Sequence, residues 1–157
     1  MRVFIDTNVF LDLLCRREKF LADSLKVFDL AVDGKLELLI SDLSIANIKY
    51  ITRKDFTVDK FYEAISAFRP VFSIVPVGED AVDQALALKA QDFEDALQYF
   101  SAVYANANYL LTRNIRDYGF ASLEVMTPAD FIQRHFPLLY CPIPRRSKQI
   151  TPFFMSM

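Results

Sequence analysis

The residues Arg2-Val3-Phe4-Ile5, followed at once by Asp6-Thr7-Asn8, constrain this chain more than any other stretch, because they form an apolar strand that ends on a carboxylate. Open α/β sheets bind ligands just beyond the carboxyl ends of their strands, where such a group is delivered. Two later segments repeat the theme. Asp92-Phe93-Glu94-Asp95 opens a helical stretch, and Tyr109-Leu110-Leu111-Thr112 is a short apolar strand that runs into Arg113-Asn114-Ile115-Arg116-Asp117. If they converge, these carboxylate-bearing ends make an oxygen-rich pocket suited to Mg²⁺ or Mn²⁺, hard cations that take oxygen ligands.

The rest of the chain alternates between the two periodicities. Helical spacing over Asn8 to Cys15 follows the first strand, and a second helix is expected from about Leu21 to Val32, stopped by Asp33-Gly34. Leu36 to Ile40 reads as the second strand. Ser41 or Asp42 then caps a helix towards Arg53-Lys54, and Thr57 begins another that Pro70 ends. Val71 to Val75 is the third strand and Gly78 to Ala90 a helix, followed by a strongly patterned helix from Glu94 to Asn106 with Ala96, Leu97, Phe100, Val103 and Tyr104 on one face. Tyr109 to Leu111 and Leu123 to Met126 supply two more strands, and Thr127-Pro128 starts a last helix through about Gln133. Strands alternating with helices imply a three-layer α/β/α arrangement around a mostly parallel sheet of roughly four or five strands.

With 157 residues, 53% of them hydrophobic, the chain fits one domain over residues 1–136, long enough to bury about 70% of the surface its unfolded form exposes. Only 3 Gly argue against a glycine-rich phosphate-cradling loop. No signal sequence and no apolar run of membrane-spanning length is visible, so a cytoplasmic location is expected and no membrane partner. Cys15 and Cys141 lack the spacing of a zinc site or a disulfide framework. The net charge of −2 excludes holding nucleic acid by bulk charge alone. Contact with RNA must be local, through patches such as Arg16, Arg17 and Lys19, or Lys49, Arg53 and Lys54, or Arg113 and Arg116, or it must be metal-assisted. Residues 137–157 change character, with Pro137, Pro142, Pro144 and Pro152 and the basic run Arg145-Arg146-Ser147-Lys148. They read as an extended appendage or a disordered tail that can also wrap the domain or self-associate through Phe153 and Phe154.

The order of these segments resembles the PIN-domain family, metal-dependent ribonucleases that include VapC-type toxins of prokaryotic toxin–antitoxin pairs; the likeness covers roughly Met1 to Gln133. It implies Asp6, Asp95 and Asp117 as metal-binding and catalytic acids holding Mg²⁺ or Mn²⁺. Thr7, Asn8, Asp92 and Thr112 support the site. Asn47, in Ser41-Asp42-Leu43-Ser44-Ile45-Ala46-Asn47, stands where the family carries a glutamate, and Asn114 where an aspartate is common. Arg113 and Arg116 are the expected phosphate-binding side chains. RNA, a small antitoxin and a second copy of the chain are the implied partners.

Two functions stay open at this point. One is a metal-dependent endoribonuclease cutting single-stranded RNA with a metal-activated water. The other is a catalytically weakened fold of the same family that binds RNA or protein, motivated by the two acid-to-asparagine departures. A receiver-like or phosphatase domain with a phosphorylated Asp6 fits less well, because no Asp-x-Asp pair follows the first strand. The single histidine, His135, sits at the end of the last helix, where a packing or surface role is expected. Asp12, one turn after Asn8, reads as a solvated acid.

Overall fold

The computed structural model describes residues 1–139. In chain order the elements are β1 (Arg2–Ile5), α1 (Thr7–Leu14), α2 (Glu18–Val32), β2 (Glu37–Ser41), α3 (Asp42–Thr52), α4 (Val58–Phe68), β3 (Phe72–Val75), α5 (Glu79–Leu88), α6 (Phe93–Tyr104), β4 (Tyr109–Leu111), β5 (Glu124–Met126) and α7 (Pro128–His135). A 3₁₀ turn at Ile115–Tyr118 follows β4, and another closes the described chain at Pro137–Leu139. Leu139 donates its N–H to the Phe136 carbonyl and packs on the core, so ordered packing continues three residues past Phe136. The rest of the proline-rich tail, with Cys141, the basic run and Phe153 and Phe154, lies outside the described residues.

The five strands form one sheet in the order β3-β2-β1-β4-β5, every pair parallel. Alternation along each strand sorts side chains to two faces. Val3, Ile5, Leu38, Ile40, Leu111 and Met126 enter the larger core with α1, α2, α4 and α7, while Phe4, Leu39 and Leu110 enter the smaller one with Tyr99 and Ala102 of α6. The central strands β1, β2 and β4, buried on both faces, read as nearly unbroken apolar runs, while the edge strands β3 and β5 carry exposed residues. The expected three-layer α/β/α architecture is the observed one.

The larger core is keyed by phenylalanine. The ring of Phe10 lies 5.4 Å from those of Phe28, Phe68 and Phe72, stacked on the first and edge-on to the other two. His135 packs its ring 4.8 Å from Tyr109 and 4.9 Å from Phe131, the expected packing role. No helix among the described residues is long and apolar enough to cross a membrane.

This strand order contains a switch point. The chain winds from β1 to β2 to β3 on one side, then returns to place β4 against the other edge of β1. The loops leaving β1 and β4 therefore run in opposite directions and leave a crevice between them, the usual ligand position in sheets of this kind.

Candidate active site

Asp6 leaves β1 at that crevice. Its N–H donates to the Leu111 carbonyl at 2.9 Å, so β1 and β4 hold its backbone, and it is 3% exposed. It occupies the N-cap position of α1 with extended backbone, yet its carboxylate does not cap the helix. The side chain turns instead to β4, where Oδ2 accepts from the Thr112 hydroxyl at 2.7 Å and from the Asn8 amide. Burial raises the Asp6 pKa, while the hydrogen bonds from Thr112, Gln98 and Asn8 oppose that rise and the Glu94 charge adds to it.

Thr112 is fully buried and holds the junction together. While donating to Asp6, its Oγ1 accepts from Asn8 Nδ2 at 3.1 Å and from the Asn114 N–H at 3.0 Å, which uses the donor and both lone pairs of a hydroxyl. Asn8 Oδ1 in turn accepts from the Arg113 N–H at 3.1 Å. Thr112 and Asn8 thus lock the carboxylate and the loop after β4 into one unit.

A second network sits on the other side of Asp6. Gln98, buried on α6, accepts through Oε1 from the Thr7 N–H at 3.2 Å and the Ser44 hydroxyl at 3.3 Å. Its Nε2 donates to Glu94 Oε1 at 3.2 Å, and the Thr7 hydroxyl lies 3.0 Å from Ser44 Oγ and 3.4 Å from that same Glu94 oxygen. Gln98 thereby takes up one of the free N–H groups that open α1. The sequence reading missed Gln98 and Ser44 and gave Glu94 no role of its own. Gln98 follows Glu94 by four positions on an otherwise apolar helix face, a signal that was there to be used.

Asp95 faces the pocket from the first turn of α6. Its pKa is raised to about 7, first by burial and then by the charges of Asp6, Asp92 and Asp117; the Tyr118 hydroxyl, donating to Oδ1 at 3.2 Å, pulls the other way. Burial and the carboxylates of Asp6 and Asp95 drive the Tyr118 pKa up, so the phenol keeps its proton and acts as a donor. Asp92 is the N-cap of α6, accepting from the N–H groups of Glu94 and Asp95. Its carboxylate is engaged by the helix, and its influence on Asp95 is through charge.

Asp117 and Arg116 are exposed on the 3₁₀ turn, and Asn114 is exposed before it; with Arg113 and Ile115 they line a depression of about 530 Å³. Asn47 is half-buried on α3, but it is Ser44, one turn earlier, that joins the network around Thr7. Among the described residues no three His, Cys, Asp or Glu side chains gather closely enough to hold a metal ion by themselves. The close acids are Asp6, Glu94 and Asp95, with Asp117 at the rim.

Asp12 corrects the expectation of a solvated acid. It is wholly buried, and its Oδ1 lies 3.3 Å from Arg113 Nη1 and 3.5 Å from Arg17 Nη1. Helical spacing placed it beneath Asn8; what it did not reveal is that two arginines, from the turn after α1 and from the loop after β4, close over that face.

A model of the PIN domain matches residues 2–116, and the chain belongs to the PIN domain family. Ribonuclease VapC1 of Aquifex aeolicus (strain VF5) is 28% identical over 141 residues, 85% of this chain and 94% of that protein. Two solved structures share the fold. VapBC2 of Rickettsia felis, bound to a DNA fragment from the promoter, has a TM-score of 0.64 at 18% identity, over 81% of this chain and 98% of that one. A toxin–antitoxin complex of Klebsiella pneumoniae has a TM-score of 0.61 at 21% identity, over 80% and 97%.

Proposed function

We propose that the protein is a divalent-metal-dependent endoribonuclease of the toxin type, acting on single-stranded RNA. One observation carries the reading: Asp6 is seated by two hydrogen bonds at the switch point of the sheet, beside an Asp95 whose pKa is raised to about 7 first by burial and then by the negative charges of Asp6, Asp92 and Asp117. Among the described residues no cation is paired with this couple of acids, and a hard metal ion supplies the positive charge. Magnesium commonly binds through one or two carboxylates and keeps several waters, so Asp6 and Asp95 suffice as direct holders, with Asp117 at the rim. Bound there, Mg²⁺ or Mn²⁺ lowers the pKa of a water and neutralises charge on a phosphodiester.

The protein's own groups do the rest. Thr112 and Asn8 fix the Asp6 carboxylate, and Tyr118 holds Asp95 by donating a proton it does not release. Gln98 bridges Thr7 and Glu94, so the acids of α6 keep their register against α1. Arg113 and Arg116 line the depression beside them and match phosphate geometry with their guanidinium forks. The likeness to Ribonuclease VapC1 supports RNA as substrate, and the likeness to toxin–antitoxin complexes supports a small antitoxin as partner.

The absence of a three-acid cluster among the described residues favours a second reading, a catalytically weakened PIN fold that binds RNA or protein. The test is calorimetric titration with Mn²⁺ and Mg²⁺ on the wild type and Asp6→Asn, followed by cleavage of a mixed-sequence RNA in each metal. The ribonuclease reading expects binding and cleavage that both vanish in Asp6→Asn. Metal bound by neither protein and RNA left intact would select the second reading, and a gain of cleavage in Asn47→Glu with Asn114→Asp would identify what had been lost.

A further inference from the structure

We infer that Arg17 and Arg113, held by the buried carboxylate of Asp12, form an anion subsite that grips a backbone phosphate of RNA beside the acidic pocket; the inference rests on the ribonuclease reading above. Its starting point is an imbalance. A buried carboxylate is costly unless paired, and its oxygens are normally both hydrogen-bonded. Here two guanidinium groups share Oδ1 alone, and Oδ2 is buried with no hydrogen-bond partner among the described residues. One net positive charge is left over. Both arginines remain reachable, their side chains 35% and 23% exposed.

The backbone is arranged to produce this cluster. Helix α1 ends with Arg16 in the left-handed region, φ 49°, where glycine is the usual choice. The N–H of Arg16 donates to the Leu13 carbonyl and that of Arg17 to the Asp12 carbonyl at 3.0 Å, which folds Arg17 back over Asp12. Arg113 arrives from β4, and its Cζ lies 4.8 Å from the centre of the Phe20 ring. Its N–H donates to Asn8, whose amide donates to Asp6. The position of the positive cluster is therefore tied to that of the acidic pocket through a single residue.

The chemistry favours a phosphate. A pocket lined by Asp6, Glu94 and Asp95 repels a polyanion, and a chain with net charge −2 has no bulk field to offset that. Each guanidinium offers five N–H donors in a fork that fits phosphate oxygens. A phosphate one or more nucleotides from the cleaved bond can rest on this pair while the acids act on its neighbour.

The experiment is RNA binding by the full chain in chelator, followed by fluorescence anisotropy with a labelled mixed-sequence RNA across a KCl series, with thermal melting as a check on folding. Arg17→Gln should weaken binding severalfold and flatten the slope of log affinity against log salt by about 0.7, the value for one phosphate contact on a single strand. Asp12→Asn decides between positioning and simple charge. Removing a negative charge should tighten RNA binding if charge alone matters, whereas loss of the residue that orients both arginines should weaken it and flatten the slope. Tighter binding by Asp12→Asn, or an unchanged slope in Arg17→Gln, overturns the subsite. Should Asp12→Asn not fold, Arg17→Lys decides, with a partial loss expected because charge is kept and the fork is gone. Wild-type protein that neither binds nor cuts RNA would overturn the ribonuclease reading itself, while wild-type cleavage with Arg17→Gln indistinguishable from it would overturn the subsite alone.

Discussion

At the scale of single residues, Asp95 sets how the metal-free protein responds to pH. Its folded pKa of about 7 lies above the ordinary 3.8, so the folded state binds the proton more tightly. The contribution to stability is full below about pH 3.8 and is lost as pH rises through about 7. Asp6, raised in the same direction, adds to the trend. Thermal melting in chelator should therefore show wild-type stability falling from about pH 4 to about pH 7, with a shallower fall in Asp95→Asn. Added Mn²⁺ should raise the melting temperature more at about pH 8 than at about pH 5, since cation binding requires deprotonated carboxylates. An equal Mn²⁺ effect at both pH values, or one retained in Asp6→Asn, would count against these two acids as the holders.

At the scale of elements, the boundaries that were legible are those with local chemistry. Ser41 accepts from the Ser44 N–H, Thr57 from that of Lys60 and Thr127 from that of Asp130, each a side-chain cap three residues before its donor. Helix α2 starts at Glu18 rather than near Leu21 because Arg17, held over Asp12, makes the turn without a side-chain cap. The end of α1 fell within one residue of the expected Cys15, although an arginine, Arg16, occupies the left-handed position that glycine usually marks. The end of α5 is similar, with Lys89 at φ 52° and exposed. Lys89→Gly should stabilise the protein by up to about 1 kcal/mol, because glycine removes the Cβ clash there. Thr57→Ala should cost about 1 kcal/mol. Urea unfolding of both variants checks the pair, and a destabilising Lys89→Gly would show that the lysine side chain compensates its strain.

At the scale of the whole molecule, the strands and their layers could be read from runs of apolar residues, and the seat of Asp6 from the strand that ends on it. The Asp12 cluster could not, and of the Gln98 network only the i, i+4 spacing from Glu94 was visible. Thr7 and Gln98 stand 91 positions apart, and Asp12 meets Arg113 because β1 and β4, far apart in the chain, are neighbours in the sheet. The same holds for the core, where Phe10, Phe28, Phe68 and Phe72 come from four elements. Phe28→Ala should cost about 3–5 kcal/mol, read by chemical denaturation, since the surrounding rings cannot close the gap. A loss below about 1 kcal/mol would mean that this cluster repacks freely.

The return of β4 to the edge of β1 also has a bearing on synthesis. During synthesis Asp6 is made before the hydroxyl that seats it, which follows 106 positions later. Until then β1 has one unpaired edge and the carboxylate has no Thr112 to hold it. The crevice therefore gains the group that fixes its buried acid only after α6 and β4 have been made.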